Sequence, residues 1–199
     1  MKKLLLPFLA ASLSATPVFA APYVSLSTGL ASLANSDFTN AAGFKFNEAA
    51  TYKSGVPFVG AVGINNGAYR VEVAIGYQSN DFDKFTDGEK LTPISGSSQS
   101  ALTYLLNGYY DIDLKGSITP YLTAGLGGAT LTGKTAGYSD ESHLVFAYQL
   151  GAGVGIKASE NIVVDLGYRY LKPSSFKISS GVSFTELSNN FLVGVRYNF

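Results

Sequence analysis

The chain has 199 residues, no cysteine, and 14 Lys plus Arg against 14 Asp plus Glu, a formal net charge of zero. That length fits one domain. The charge balance argues against a nucleic-acid binder, which needs a basic surface, and the lack of Cys excludes disulfides and thiolate chemistry.

Residues 1–20, MKKLLLPFLAASLSATPVFA, read as a secretory signal peptide. Lys2 and Lys3 precede an apolar run from Leu4 to Ala11, and Val18-Phe19-Ala20 forms the cleavage region. The apolar run is shorter than the ~18 residues a membrane-spanning helix needs. Cleavage after Ala20 leaves residues 21–199 as one barrel domain with 14 − 2 = 12 Lys plus Arg against 14 Asp plus Glu, a net charge of −2. No transmembrane helix is expected downstream. The leader fits bacterial export.

From there the hydrophobic period is two almost throughout, which predicts strands. Eight are expected, over 22–31, 55–64, 68–79, 99–112, 119–131, 143–157, 162–172 and 187–199. Only 41–50 offers a place for a short helical turn, inside a loop. Between the second and third strands, Asn65-Asn66-Gly67 reads as a tight type I′ hairpin turn. DLKGSI joins the fourth and fifth strands, and Ala158–Asn161 the sixth and seventh. The remaining connections, 32–54, 80–98, 132–142 and 173–186, are long. Strict alternation of short and long connections is what a transmembrane barrel shows, with turns on one rim and loops on the other.

The two faces of each strand differ. In 68–79, Tyr69, Val71, Val73, Ile75 and Tyr77 oppose Arg70, Glu72, Ala74, Gly76 and Gln78. In 162–172, Ile162, Val164, Leu166, Tyr168 and Tyr170 oppose Val163, Asp165, Gly167 and Arg169. Alternation alone does not say which face is wet, so a soluble, lipocalin-like carrier fits it equally. Three features favour an apolar exterior. A Gly-rich face suits the narrow interior of eight strands. Tyrosines gather near strand ends, as in an interfacial girdle. The final segment FLVGVRYNF keeps its alternation to an aromatic end.

Taken together, AYRVEVAIGY, NGYYDI, TPYLTAGLGGA, FAYQLGAGVGI, VVDLGYRYL and FLVGVRYNF resemble the small outer-membrane β-barrel family. That family includes the OmpA-like and OmpX-like barrels, and the likeness is nearest to its surface-antigen and opacity-protein branch. The resemblance implies an all-β fold: an eight-stranded antiparallel up-and-down transmembrane β-barrel in the bacterial outer membrane, with short periplasmic turns and long extracellular loops. It implies a monomer in contact with outer-membrane lipid and lipopolysaccharide, and it casts Tyr197 and Phe199 as an assembly signal for the barrel assembly machinery. No peptidoglycan-binding domain is expected after Phe199. Loops 32–54 and 80–98 match nothing in the family, so a host or cell-surface ligand is assigned to them only as an expectation.

The inward face should carry Arg70, Glu72, Asp111, Lys157, Asp165, Arg169 and Arg196. Charges in a narrow lumen must be paired or hydrated, so a salt-bridge network is expected, with Glu72 and Asp165 as anionic centres. It serves either as a stabilising plug or as a gated ion path. The expected role is structural or interactive: membrane integrity and adhesion through the loops, without catalysis. The alternatives are a narrow porin and a lipid A-modifying enzyme. His143 follows Glu141 and Ser142, but position 145 is Val where a lipid A deacylase carries its serine. One His without a second ligand makes a poor metal site, and Gly-x-Gly-x-Gly in LGAGVG is not followed by a helix. No cofactor or metal is expected. Segment 80–90, with Asp81, Asp83, Asp87, Glu89, Lys84 and Lys90, reads as a solvated loop, or as a bridge for divalent cations or lipopolysaccharide, with Phe82 and Phe85 as contacts.

Overall fold

A computed structural model describes residues 20–34, 36–39, 45–86, 91–93, 98–134, 141–174, 176–177, 183–184 and 187–199. The leader reading lies outside these residues, as do Asp87, Glu89 and Lys90 and the side chains of Phe82, Lys84 and Phe85.

Eight long strands form the barrel: β1 Ala21–Leu33, β2 Phe58–Asn65, β3 Tyr69–Thr86, β4 Ser98–Asp111, β5 Ile118–Lys134, β6 Glu141–Lys157, β7 Ile162–Pro173 and β8 Ser188–Asn198. Each pairs antiparallel with the next. The first and last close the ring, from Tyr23 opposite Asn198 to Leu33 opposite Ser188. Closure matters because an open sheet edge would leave backbone N–H and C=O groups unpaired in hydrocarbon.

The apolar face looks outward. Val71, Val73, Leu166 and Val195 are all exposed, Val73 by 57% and Leu26 by 74%, while Arg70 and Glu72 are each only 3% exposed. In water, a continuous outer wall of Val, Ile, Leu and Phe would drive aggregation. In lipid it is the wetted surface. Tyr69 and Tyr110 sit on the outer wall near the short-turn rim, and Tyr77 near the other.

Three expectations change. The 45–50 part of the predicted helical turn belongs to a strand, Lys45–Tyr52, because pairing with Ser36–Thr39 and with β3 overrides local helical preference; 41–44 lie outside the described residues. The hairpin at 65–69 turns on Gly67 and Ala68, not on Asn66 and Gly67. Asn66 N–H donates to the Tyr69 carbonyl at 3.0 Å, and of the turn residues only Gly67 has positive φ, 94°. Glycine at the first central position matches a type II′ turn. The Asn65 side chain accepts from Gly67 N–H at 2.7 Å and the Asn66 side chain from Tyr69 N–H at 2.9 Å. Finally, β3 runs seven residues past the expected Ser79, to Thr86.

That extension builds a second sheet. Phe176–Lys177, Ser183–Phe184, Ser36–Thr39, Lys45–Tyr52, the upper part of β3 and Leu91–Pro93 pair in that order. The described parts of loops 32–54, 80–98 and 173–186 are thereby hydrogen-bonded into one extracellular sheet continuous with the barrel wall.

Candidate functional site

Inward-pointing residues fill the lumen in layers. Toward the short-turn rim, Arg70 on β3 grips Asp111 on β4 with both branches of its guanidinium, Nε at 2.8 Å and Nη2 at 2.9 Å. Across the lumen, Arg196 on β8 holds Asp165 on β7 in the same way, at 3.1 and 3.3 Å. A two-pronged guanidinium–carboxylate contact fixes geometry as well as charge.

Glu72 is arranged differently. Its carboxylate accepts from Tyr23 on β1 at 2.9 Å, and from Tyr109 and Asn107 on β4 at 2.6 and 3.0 Å. Arg169 donates to the Tyr109 hydroxyl at 2.9 Å, and Gln149 to the Asn107 carbonyl oxygen at 2.7 Å. Glu72 is thus the hub of a relay whose cation, Arg169, stands one hydroxyl away. Arg70 lies over the Tyr109 and Tyr121 rings, 4.1 and 5.0 Å from their centroids. Arg70, Arg169 and Arg196 balance Glu72, Asp111 and Asp165 at three charges each. Local neutrality lets six ions share a narrow lumen in which four of them are buried and Asp165 and Arg169 are half-buried.

The expected network therefore differs in detail from this one. Asp111, not Glu72, takes Arg70, and Glu72 is held by uncharged donors. Lys157 is exposed and stands apart, because it ends β6 at the short-turn rim. Tyr23, Asn107, Tyr109, Tyr121 and Gln149 complete the cluster; the alternation places Asn107 and Gln149 on the inward face, whereas the three tyrosines escaped the sequence reading. Their signal was position: Asn107, Tyr109 and Asp111 share one side of β4.

Above the charges lies an apolar layer of Leu105, Ala129, Leu131, Ala147 and Leu171. Above that, neutral amides take over. Gln78 donates to Asn80 at 3.1 Å and to Ser188 at 3.0 Å, and Asn80 donates to the carbonyls of Ala31 and Lys53 at 3.0 and 2.9 Å. Two cavities interrupt this filling, of about 20 and 30 Å³, with Arg169 and Leu192 on the wall of both. Each has room for a water or two. Among the described residues no group of three His, Cys, Asp or Glu side chains could hold a metal.

Near the rims, Ser142 exchanges a hydrogen bond with Thr132 at 2.8 Å, and His143 stands opposite Leu131 on the other face of the strand. Asp81 is exposed at the loop end of β3. On the opposite rim, Lys115 binds Asp113 at 2.7 Å, and that contact holds the fully exposed Asp113 carboxyl below its ordinary range. Tyr197 and Phe199 both face outward.

Residues 4–199 match the family model described as the outer membrane protein beta-barrel domain. The chain belongs to this family. It is a β-barrel protein of the bacterial outer membrane, and its apolar outer wall faces lipid. Outer membrane protein PagN of Salmonella typhimurium is 32% identical over 117 residues, covering 49% of each chain. A Brucella abortus protein of uncharacterized function is 36% identical over 89 residues, 38% of this chain and 31% of that one. The chain thus aligns with half or less of the length of these curated relatives. Among solved structures, Neisserial surface protein A superposes with a TM-score of 0.58 at 20% identity, over 89% of this chain and 97% of that one. OprG from Pseudomonas aeruginosa gives 0.61 at 14%, over 90% and 97%. At these identities the likeness is one of fold.

Proposed function

We propose that this protein is a non-catalytic surface scaffold: a plugged barrel that anchors an ordered extracellular platform for contact with a partner surface. The extracellular sheet carries the reading. Three loops emerging at different strands are hydrogen-bonded to one another and to β3, so they act as one body. Loops on a rigid scaffold are where binding groups are placed. The lumen supports the same reading, since among the described residues six balanced ions fill it beside two cavities of water size. Ser142 bonds to Thr132, an arrangement that prepares no nucleophile.

The test compares cells displaying the intact chain with cells displaying a variant in which 36–52 is replaced by a two-residue turn. Adhesion to host cells or to neighbouring bacteria should fall, while the heat-modifiable gel shift of a folded barrel stays. Unchanged adhesion rejects the platform role. In planar bilayers the intact protein should give no large reproducible conductance; such conductance would favour the porin alternative.

A further inference from the structure

Among the described residues of the lumen, Arg169 is the cation that no carboxylate touches. Arg70 and Arg196 are each clamped on an aspartate, whereas Arg169 has one hydrogen bond, from Nη2 to the Tyr109 hydroxyl. Arg169 stands on the wall of the cavity of about 20 Å³, together with Ser25 and Ser27 of β1, Glu72 of β3, Tyr121 of β5 and Asp165 of β7. Tyr121 is only 5% exposed, yet its hydroxyl has no hydrogen-bond partner among the described residues. That hydroxyl rests against Gly153 and Gly167, where an added Cβ would stand 2.5 Å from it. The hydroxyls of Ser25 and Ser27 likewise have no partner among the described residues. The carboxylates on this wall are already engaged: both oxygens of Glu72 and both of Asp165 accept hydrogen bonds. The groups left over are a guanidinium and three hydroxyls, all able to donate into one small space.

We infer that this cavity is a binding site for one monatomic anion of the halide class, chloride foremost, held by Arg169, Ser25, Ser27 and Tyr121. Size sets the first limit. A water needs roughly 10–15 Å³ on this measure, so the space takes one particle of about that size and no polyatomic anion. Chemistry sets the second. A halide only accepts, and the uncommitted groups supply donors; a water must also donate, and each carboxylate oxygen on the wall already accepts. The ion gives Arg169 the direct anionic contact that Arg70 and Arg196 have in their aspartates. It also tips the local balance by one negative charge, so it is an exchangeable ion and not a permanent part of the plug. The site lies in the lumen, apart from the extracellular sheet, so either reading can fail without the other.

The experiment is urea unfolding of the barrel from zwitterionic lipid vesicles, at one ionic strength, with sodium gluconate replaced stepwise by sodium chloride. Gluconate is too large for the cavity. A ligand that binds only the folded state raises the folding constant in proportion to its occupancy term, so chloride should raise that constant severalfold over gluconate. Tyr121→Phe keeps the ring and removes one donor, and Ser27→Ala removes another; each should at least halve the chloride gain. Heat-modifiable migration checks that each variant folds. Crystals of the parent grown in bromide give a readout that needs no variant: an anomalous peak is expected between Arg169 and Tyr121. Equal stability in the two salts, a gain that either folded variant keeps in full, or no bromide at this position would overturn the site and leave the cavity to water.

Discussion

The lower and upper lumen are lined by the same strands yet held by different chemistry. Below, six ions pair across β3, β4, β7 and β8 around Glu72. Above, amides and a serine hydroxyl do the joining, and Asn80 ties β3 to the returning leg of loop 32–54. The difference teaches that charge is used where it can be balanced in a closed space, and neutral donors where the barrel must hand over to its loops. Removing one ion leaves its partner uncompensated, whereas removing one amide leaves only unsatisfied dipoles.

Four substitutions sharpen that contrast, and the first should cost most. Arg70→Ala strands Asp111 in the lumen, with an expected loss of about 3–5 kcal/mol in urea unfolding from lipid vesicles. A loss no larger than that of the amide variant would erase the distinction between the layers. Val73→Arg probes the outer wall instead, where an arginine near mid-bilayer costs about 2–4 kcal/mol. The same change on a water-exposed strand would stay within about 0.5 kcal/mol. Asn80→Ala should cost about 1–3 kcal/mol, because two carbonyls lose their donor. It should also raise protease cleavage within 36–52 while leaving the lower barrel intact; cleavage at the parent rate would deny Asn80 its role at the loop.

Lys115→Ala should change nothing measurable, since its pair with Asp113 is wholly exposed. The carboxyl of Asp113 titrates below its unfolded value, so the pair exists at neutral pH and is lost as pH falls through that lowered value. A stability curve with a clear step there, absent from Lys115→Ala, would contradict the surface assignment.

Much of this was legible in the sequence. The alternation of Val71, Val73 and Ile75 with Arg70, Glu72 and Ala74 marked a strand with two unlike faces, and glycines together with tyrosines near strand ends indicated which face was inside. Pairing inside the lumen was not legible. Arg70 stands directly opposite Tyr109, and it reaches Asp111 only along the diagonal that register and tilt create. Tyr23 meets Glu72 across 49 residues of chain by reaching over Gly63 of the intervening strand, a contact that only the pairing of β2 with both neighbours brings about. Loop strands such as Lys45–Tyr52 were missed because their pairing partners, not their own pattern, make them strands.

The orientation of the two faces can be measured directly. The chain has no cysteine, so single-cysteine variants at Val73, Leu166 and Val195 each report one site when spin-labelled in lipid vesicles. All three labels should be relaxed strongly by oxygen, which concentrates in the bilayer, and weakly by a water-soluble nickel chelate. Strong relaxation by the chelate at these positions would place the apolar wall in water and contradict the account.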